Sequence, residues 1–405
     1  NSGAIVYGKQ IDKTHYPASI TKILTALVAL ENSELTDEVL FSEDSISFLE
    51  YGDAHIGMTP GEILSMEDAL YGMLLASANE VAYAIAENVG KLMGGDYNTF
   101  IQKMNERSAE LGCTGSHWMN PNGLHDDNHY TTAHDMALIA SAVYQYDEFR
   151  TIVQTLSYTI PPTNLVNESR TFQQKHKMLW PENANYYQYC TGGKTGYTDQ
   201  ARTTLVTMAD NGELRLAAVV LYDFGNDAYV DTRAMFDYVF DNFSKVMLSG
   251  QEKPEEIDSY ADNDAYVLLP AGIGFEDLDK EIEITDEQNR EGTVTYTYQG
   301  QNVGSADVVL AKDYVAEKTG HDYTLQAEKG SQVSGEGAQA DEPSAAVKIA
   351  AGIGSAAIVF VILLAVHIWQ ARRKKRLLRR RRRARNTGKV RSVQNDEYGG
   401  PDQNR

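Results

Sequence analysis

Residues 349–369 are 21 consecutive positions without an Asp, Glu, Lys or Arg. A helix of that length rises about 1.5 Å per residue and spans roughly 30 Å, the thickness of the bilayer hydrocarbon. Gly352, Gly354 and Ser355 are tolerated in a membrane helix, and Trp369 stands where an interfacial anchor belongs. Arg372, Arg373, Lys374, Lys375 and Arg376 follow at once, then five arginines over 379–383. Residues 372–405 hold 14 Lys+Arg against 3 Asp+Glu, a net of +11, although the whole chain carries −21. Such asymmetry implies two environments. The sequence therefore predicts one transmembrane helix over 347–369 and a basic cytoplasmic tail over 370–405. Everything before about residue 345 is expected outside the cell membrane. Membrane lipid is then a partner, and the tail can also contact anionic headgroups. A buried core helix or a basic nucleic-acid arm would each explain only half of this pattern.

The remainder reads as a globular export. Hydrophobic residues make up 42% and charged residues 23%, which excludes wholesale disorder. The acidic balance excludes nucleic acid as a partner, because phosphate contacts need a basic face. Two cysteines exclude a disulfide-stapled miniprotein and any four-cysteine zinc module. No leader precedes Asn1-Ser2-Gly3, so an external domain implies a start that has been shortened.

The pattern changes along the chain. Residues 4–7 read as a strand. Helical periodicity covers 20–31, 66–75, 79–89, 97–111 and 133–146, with Gly112 as a C-terminal stop and Thr132 as an N-cap. Strand-like runs follow at 203–208 and 214–222, joined through Asp210-Asn211-Gly212, a strong hairpin signal. Helix returns at 231–243. Strands flanking a helical insertion predict an α+β catalytic domain over 1–247, built on an antiparallel sheet. Short runs at 265–269, 280–285, 293–298 and 306–310 predict a small all-β domain over 248–325. Residues 326–346, rich in Gly, Ser, Ala, Gln and Glu, read as a flexible linker.

Three short motifs occur in order: Ser19-Ile20-Thr21-Lys22, Ser77-Ala78-Asn79 and Lys194-Thr195-Gly196. If a helix starts at Ser19, residues i and i+3 share a face, and Lys22 Nζ can reach Ser19 Oγ. A serine hydroxyl needs an adjacent base, and a lysine serves once burial and a nearby cation lower its pKa. Lys194 can be that cation. Ser77 adds a hydroxyl relay, and Asn79 an amide that holds substrate or Lys22. Lys194 and Thr195 can bind a carboxylate, and Gly196 lets a substrate backbone come close. Lys194 is expected to head the strand before the hairpin. A second Lys-Thr-Gly, at 318–320, lies between the β domain and the linker with no β-rich run after it, and is set aside on context.

Each motif alone is weak; the ordered set is specific. Together with YPASITKILTALVALE, LLLASANEVA, NPNGLHDDNHYTTAHDMALIA and GGKTGYTDQARTTLVT, it resembles the serine-type D-Ala-D-Ala carboxypeptidases, the low-molecular-mass penicillin-binding proteins of bacteria. The resemblance covers about residues 1–245, and the β domain by order and size only. It implies a β-lactamase/transpeptidase-like fold. It implies an acyl-enzyme that removes the terminal D-Ala from peptidoglycan stem pentapeptides, with β-lactams as covalent inhibitors and no cofactor. It carries the nucleophile onto Ser19, the base onto Lys22, the second motif onto Ser77 and Asn79, and the third onto Lys194, Thr195 and Gly196. The oxyanion hole falls on the backbone N–H groups of Ser19 and Tyr197.

Other clusters have competing explanations. His125, Asp126, Asp127, His129 and His134 hold zinc-ligand types, yet also fit a polar loop leading to the Thr132 cap; the reading adopted has no metal. Cys113 and Cys190 could pair outside the cell, although two separate thiols are favoured. Tyr186, Tyr187 and Tyr189 could line the cleft or edge a strand. Two further functions compete with the carboxypeptidase. A β-lactamase would need fast deacylation through a Glu-activated water, but the second motif has Ala78 where those enzymes carry Asp. A membrane-anchored β-lactam sensor would need a cytoplasmic effector, and 370–405 is too short and charged to fold one.

Overall fold

The computed structural model describes residues 3–321. The linker read at 326–346, the transmembrane helix at 347–369 and the basic tail at 370–405 lie outside the described residues. Among those described, no helix is long and apolar enough to cross a membrane.

A 3-10 turn, Ala18–Thr21, runs into α1 (Lys22–Asn32). Residues from Ile23 to Ala29 are buried all round, so α1 is a central core helix rather than an amphipathic surface one. Lys22 is buried with them. The short strand β1 (Glu38–Leu40), helix α2 (Asp44–Ser47) and strand β2 (Ile63–Ser65) precede three helices that wrap α1. These are α3 (Met66–Leu75), α4 (Asn79–Leu92) and α5 (Tyr97–Glu110). Ser65 caps α3 by accepting from Asp68 N, and Asp96 caps α5 with Thr99 in a reciprocal box. Thr132 Oγ1 accepts from Asp135 N at 3.0 Å and starts α6 (Ala133–Val143) as expected. The expected helix to 146 stops earlier, and α7 (Asp147–Gln154) begins afresh with acidic residues in its first turn.

A hairpin of β3 (Ser157–Ile160) and β4 (Arg170–Gln173) leads to the main sheet. That sheet has β5 (Cys190–Thr198), β6 (Arg202–Asp210) and β7 (Arg215–Asp223) in sequential antiparallel order. The β6–β7 turn is the Asp210-Asn211-Gly212 signal, with Gly212 at φ +93°. Helix α8 (Asp227–Asn242) then packs on the sheet.

Two expectations need correction. Residues 4–7 form no strand; Ala4 and Val6 instead pack on a small cluster with Leu214, Val239 and Leu268. Alternating apolar side chains were satisfied by packing without a ladder. Lys194 does not head the strand before the hairpin. Lys194-Thr195-Gly196 lies inside a strand of its own, β5, paired in register with β6 through Lys194↔Val206 and Gly196↔Thr204. Glycine-rich segments read locally as loop, and only the neighbouring strand holds this one extended.

The β region follows directly. Strand β8 (Phe243–Met247) pairs with β10 (Tyr266–Pro270), while β9 (Ile257–Tyr260) joins a second sheet. That sheet runs β11 (Asp279–Asp286), β12 (Glu291–Tyr298), β13 (Gln301–Leu310), β9, all antiparallel. Its core gathers Ile257, Val267, Val294, Tyr296, Val308 and Leu310. Helix α9 (Lys312–Thr319) closes it and ends on Gly320 in the left-handed region. The four strand-like runs read in this region are all strands; β8 and β9 carried no comparable signal. The proposed boundary at 247/248 falls at the end of β8, whose ladder already reaches into the β region.

Candidate active site

Ser19 sits in the turn ahead of α1, one position after Ala18, whose φ is +50°. A non-glycine residue in the left-handed region costs on the order of 1–3 kcal/mol and needs its surroundings to hold it. Three sides do so. Thr204 Oγ1 on β6 donates to Pro17 O at 2.7 Å, and Thr21 Oγ1 donates to Ala18 O at 2.8 Å. On β5, a Cβ built on Gly196 would stand 2.3 Å from Thr204 Oγ1 and 2.9 Å from Ser19 N. Only a glycine lets the strand lie this close to the nucleophile turn.

Lys22 is the centre of the arrangement. Its side chain is 0% exposed, and Nζ lies 3.1 Å from Ser19 Oγ, 2.7 Å from Asn79 Oδ1 and 2.6 Å from Asn122 O. Burial pushes its pKa well below the ordinary lysine range. The charges of Lys194 and Lys175 push in the same direction; Glu80 and Asp53 oppose them. A neutral amine has two N–H bonds and one lone pair. In that form the two carbonyl oxygens take both N–H bonds, and the lone pair is left for the Ser19 hydroxyl.

The second motif lies between α3 and α4. Ser77 is also left-handed, at φ +66°, and Asn79 N donates to Ala54 O at 2.7 Å. The third motif meets it from β5. Lys194, 1% exposed, donates to Ser77 Oγ at 2.9 Å and to Thr195 O at 2.8 Å. Burial first, then the Lys175 charge, draws its pKa down to about 7. Along β5 the burial alternates: Lys194 and Gly196 are buried, Thr195 is partly exposed, and Tyr197 is 61% exposed. The Tyr197 hydroxyl donates to Asp199 Oδ1 at 3.2 Å. The structure thus brings Ser19, Lys22, Ser77, Asn79, Lys194 and Gly196 together, with Thr195 and Tyr197 next along the strand.

The other clusters go elsewhere. Tyr187 is buried against Phe236 and donates to Asp237 Oδ1 at 2.9 Å; Tyr189 packs on Phe240, so both face α8. Tyr186 is partly exposed, and its carbonyl accepts from Arg233. Cys113 and Cys190 are separate free thiols. His134 pairs with Asp12, His125 with Asp127, and both nitrogens of His129 are engaged by Thr21 and Met119. Among the described residues, no three His, Cys, Asp or Glu side chains converge as a metal site. The second Lys-Thr-Gly ends α9, with Lys318 over the Tyr314 ring.

Four contributors were not read from the sequence as part of this site, and one of them, His129, had been grouped with zinc-ligand types instead. Asn122 acts through its backbone carbonyl, which any residue possesses. Glu80 is buried beside Asn79, where Oε1 accepts from Ile56 N at 2.7 Å. Lys175 projects between the buried Gln174 and His176. His129 reaches the site through Thr21. The signal for Lys175 was its alternation with two inward polar residues; it becomes legible only once those residues are known to be buried.

A buried lysine poised on a serine, with a second lysine on a hydroxyl beside it, defines a class: serine enzymes that work through acyl transfer. Comparison with known proteins narrows the class. The profile of the D-alanyl-D-alanine carboxypeptidase family, peptidase S11, matches residues 1–225. D-alanyl-D-alanine carboxypeptidase DacF of Bacillus subtilis is 28% identical over 338 residues, covering 77% of this chain and 79% of its own. DacB2 of Mycobacterium tuberculosis is 32% identical over 250 residues, covering 59% and 79%. The crystal structure of the Streptomyces K15 DD-transpeptidase superposes with a TM-score of 0.53 at 26% identity, over 58% of this chain and 92% of that one. The chain belongs to the D-alanyl-D-alanine carboxypeptidase family. It is a serine-type carboxypeptidase of peptidase S11 with the α+β transpeptidase-like fold, followed by a β region, and it has the family's role in peptidoglycan metabolism.

Proposed function

We propose that this enzyme removes the terminal D-Ala from peptidoglycan stem pentapeptides through an ester on Ser19. The observation that carries the reading is the position of Lys22 Nζ, buried, 3.1 Å from Ser19 Oγ and held by two carbonyl oxygens. Neutral Lys22 takes the Ser19 proton as Oγ attacks the carbonyl carbon of the penultimate D-Ala. The substrate carboxylate pairs with Lys194 and Thr195. The oxyanion is received by the backbone N–H groups of Ser19 and Tyr197. When the C–N bond breaks, the Ser77 hydroxyl gives its proton to the leaving amine and regains one from the neighbouring lysines. Asn79 keeps Lys22 aimed. Water then hydrolyses the ester, with Lys22 again the base. A β-lactam opens on Ser19 by the same first step and acts as a covalent inhibitor.

Release of D-Ala from a D-Ala-D-Ala peptide, alongside labelling by a fluorescent penicillin, tests the reading. Ser19→Ala abolishes both and leaves the fold intact. An adduct that still forms on this variant places the nucleophile elsewhere.

The proposal extends to place. The uncharged run 349–369 and the 14 basic residues after it support a single-pass protein of the bacterial cell membrane. The catalytic region lies on the extracytoplasmic side, and the tail lies inside. A spanning helix resists carbonate and molar salt and yields to detergent. Release by salt alone would show a surface-bound segment.

A further inference from the structure

His129 is 1% exposed and is hydrogen-bonded to Thr21 of the first motif. Its hydrogen bonds form one directed chain. Met119 N donates to Nδ1 at 3.0 Å, so in the neutral ring the proton is on Nε2. Nε2 lies 2.8 Å from Thr21 Oγ1 and donates to it. The Thr21 hydroxyl then spends its own proton on Ala18 O, at 2.8 Å. Ala18 is the left-handed residue immediately before Ser19. The ring edge packs on buried Trp118, with centroids 5.4 Å apart. Burial holds the imidazole neutral, with its pKa lowered to about 3, so the direction of this chain is fixed across the working pH range.

The loop that ends at His129 touches α1 at two further points. Pro121 O accepts from Thr25 Oγ1 at 2.6 Å, and Asn122 O accepts from Lys22 Nζ at 2.6 Å. Gly123 completes the fit. At φ +84° a Cβ there would stand 1.9 Å from Ala18 O. One loop therefore sets the carbonyl before the nucleophile and one of the two carbonyls that orient the base, and His129 is the side chain that joins its end to the nucleophile turn.

We propose that His129 is a positioning residue for acylation: through Thr21 it fixes the Ala18 carbonyl, and with it the direction of Ser19 towards Lys22. The zinc-ligand pattern read in the sequence around this histidine thus has a different use. The proposal rests on Ser19 being the nucleophile, as set out above. Labelling of wild-type Ser19 by penicillin is the control for that reading, and its failure would break the reading without reference to His129.

The experiment measures kcat and KM on a D-Ala-D-Ala peptide, the penicillin acylation rate, and the fraction of folded enzyme. Misplacing a reacting group by about 1 Å costs on the order of 100-fold, so His129→Ala is expected to lower kcat and acylation by about ten- to 100-fold. KM should stay within about threefold, because no substrate contact is lost. His129→Gln, whose amide can accept from Met119 and donate to Thr21, restores most of the rate. Thr21→Val reproduces the loss and Thr21→Ser does not. The His129→Ala, Thr21→Val double variant is no slower than either single one, since both cut the same chain. Val143→Ala, in the buried face of α6, supplies a destabilised enzyme with no link to the turn. If His129→Ala loses activity only in proportion to unfolding, as Val143→Ala does, the proposal falls. It falls equally if KM rises with kcat unchanged, or if the two substitutions add. Should His129→Ala fail to fold, the Thr21→Val and Thr21→Ser pair decides the matter, because both retain the imidazole and its bond to Met119.

Discussion

Lys194-Thr195-Gly196 and Lys318-Thr319-Gly320 are the same three residues in two settings. In the first, a strand carries them past a helix turn, Lys194 is buried on Ser77, and Gly196 is pressed against Ser19 N. In the second they finish a helix, and Gly320 takes the left-handed cap, where a Cβ would meet nothing within 4 Å. The same side chains thus differ in chemistry because one set is desolvated beside other cations and the other is not. A tripeptide has no function of its own; the neighbours assign one.

The largest expected effect is at Lys194. Lys194→Ala removes the donor to Ser77 and the cation for the substrate carboxylate, and kcat/KM should fall about 100- to 10,000-fold, the range for a lost proton-transfer partner. Lys194→Arg should not rescue it, since a guanidinium is wider than the buried ammonium it replaces. Rescue by Arg would mean that charge alone matters at this position.

Gly196→Ala ranks next. The added methyl must displace Thr204 or the Ser19 turn, so penicillin acylation should slow by about ten- to 100-fold. Gly320→Ala should leave activity unchanged and cost about 1 kcal/mol of stability, the penalty of a left-handed alanine. Equal effects of the two substitutions on acylation would erase the comparison.

The pH profile gives a smaller, directional test. Lys22 must be neutral to act, and its folded pKa is lowered, so activity rises as pH rises through that value. Lys194 must be charged to bind a carboxylate, and its pKa of about 7 places the falling limb there. Lys175 depresses both groups. Removing its charge in Lys175→Gln should shift both limbs of kcat/KM to higher pH. A shift to lower pH, or none, would mean that Lys175 does not act on this pair.

Lys318→Ala carries the smallest effect. Activity within about twofold of wild type is expected, as for surface substitutions away from special features. A loss at Lys318 matching that at Lys194 would assign the third motif to the wrong segment.

Much of the site was legible in advance because its chemistry follows local rules. Ser19 and Lys22 are three residues apart, in a 3-10 turn that runs into α1, and that spacing puts Nζ within reach of Oγ, while the packing around Ala18 fixes the approach. Thr132 caps α6 with its own side chain, as read. The hairpin at 210–212 is likewise a short-range signal. Residues 4–7 and the head of β5 were misread because a ladder needs a partner, and local alternation does not name one.

The sequence by itself determined the order of the motifs, the face shared by Ser19 and Lys22, and the helices that carry them. Tertiary structure alone decided that the Lys22 pKa lies well below the ordinary lysine range, through burial first and then the charges of Lys194 and Lys175. It also chose the Asn122 carbonyl as a holder of the base and His129 as the support of the turn. The physical reason is that local spacing is written in the chain, whereas desolvation and backbone acceptors acquire their effect only when distant segments pack. A carbonyl oxygen looks the same at every residue until the fold places one 2.6 Å from a buried amine.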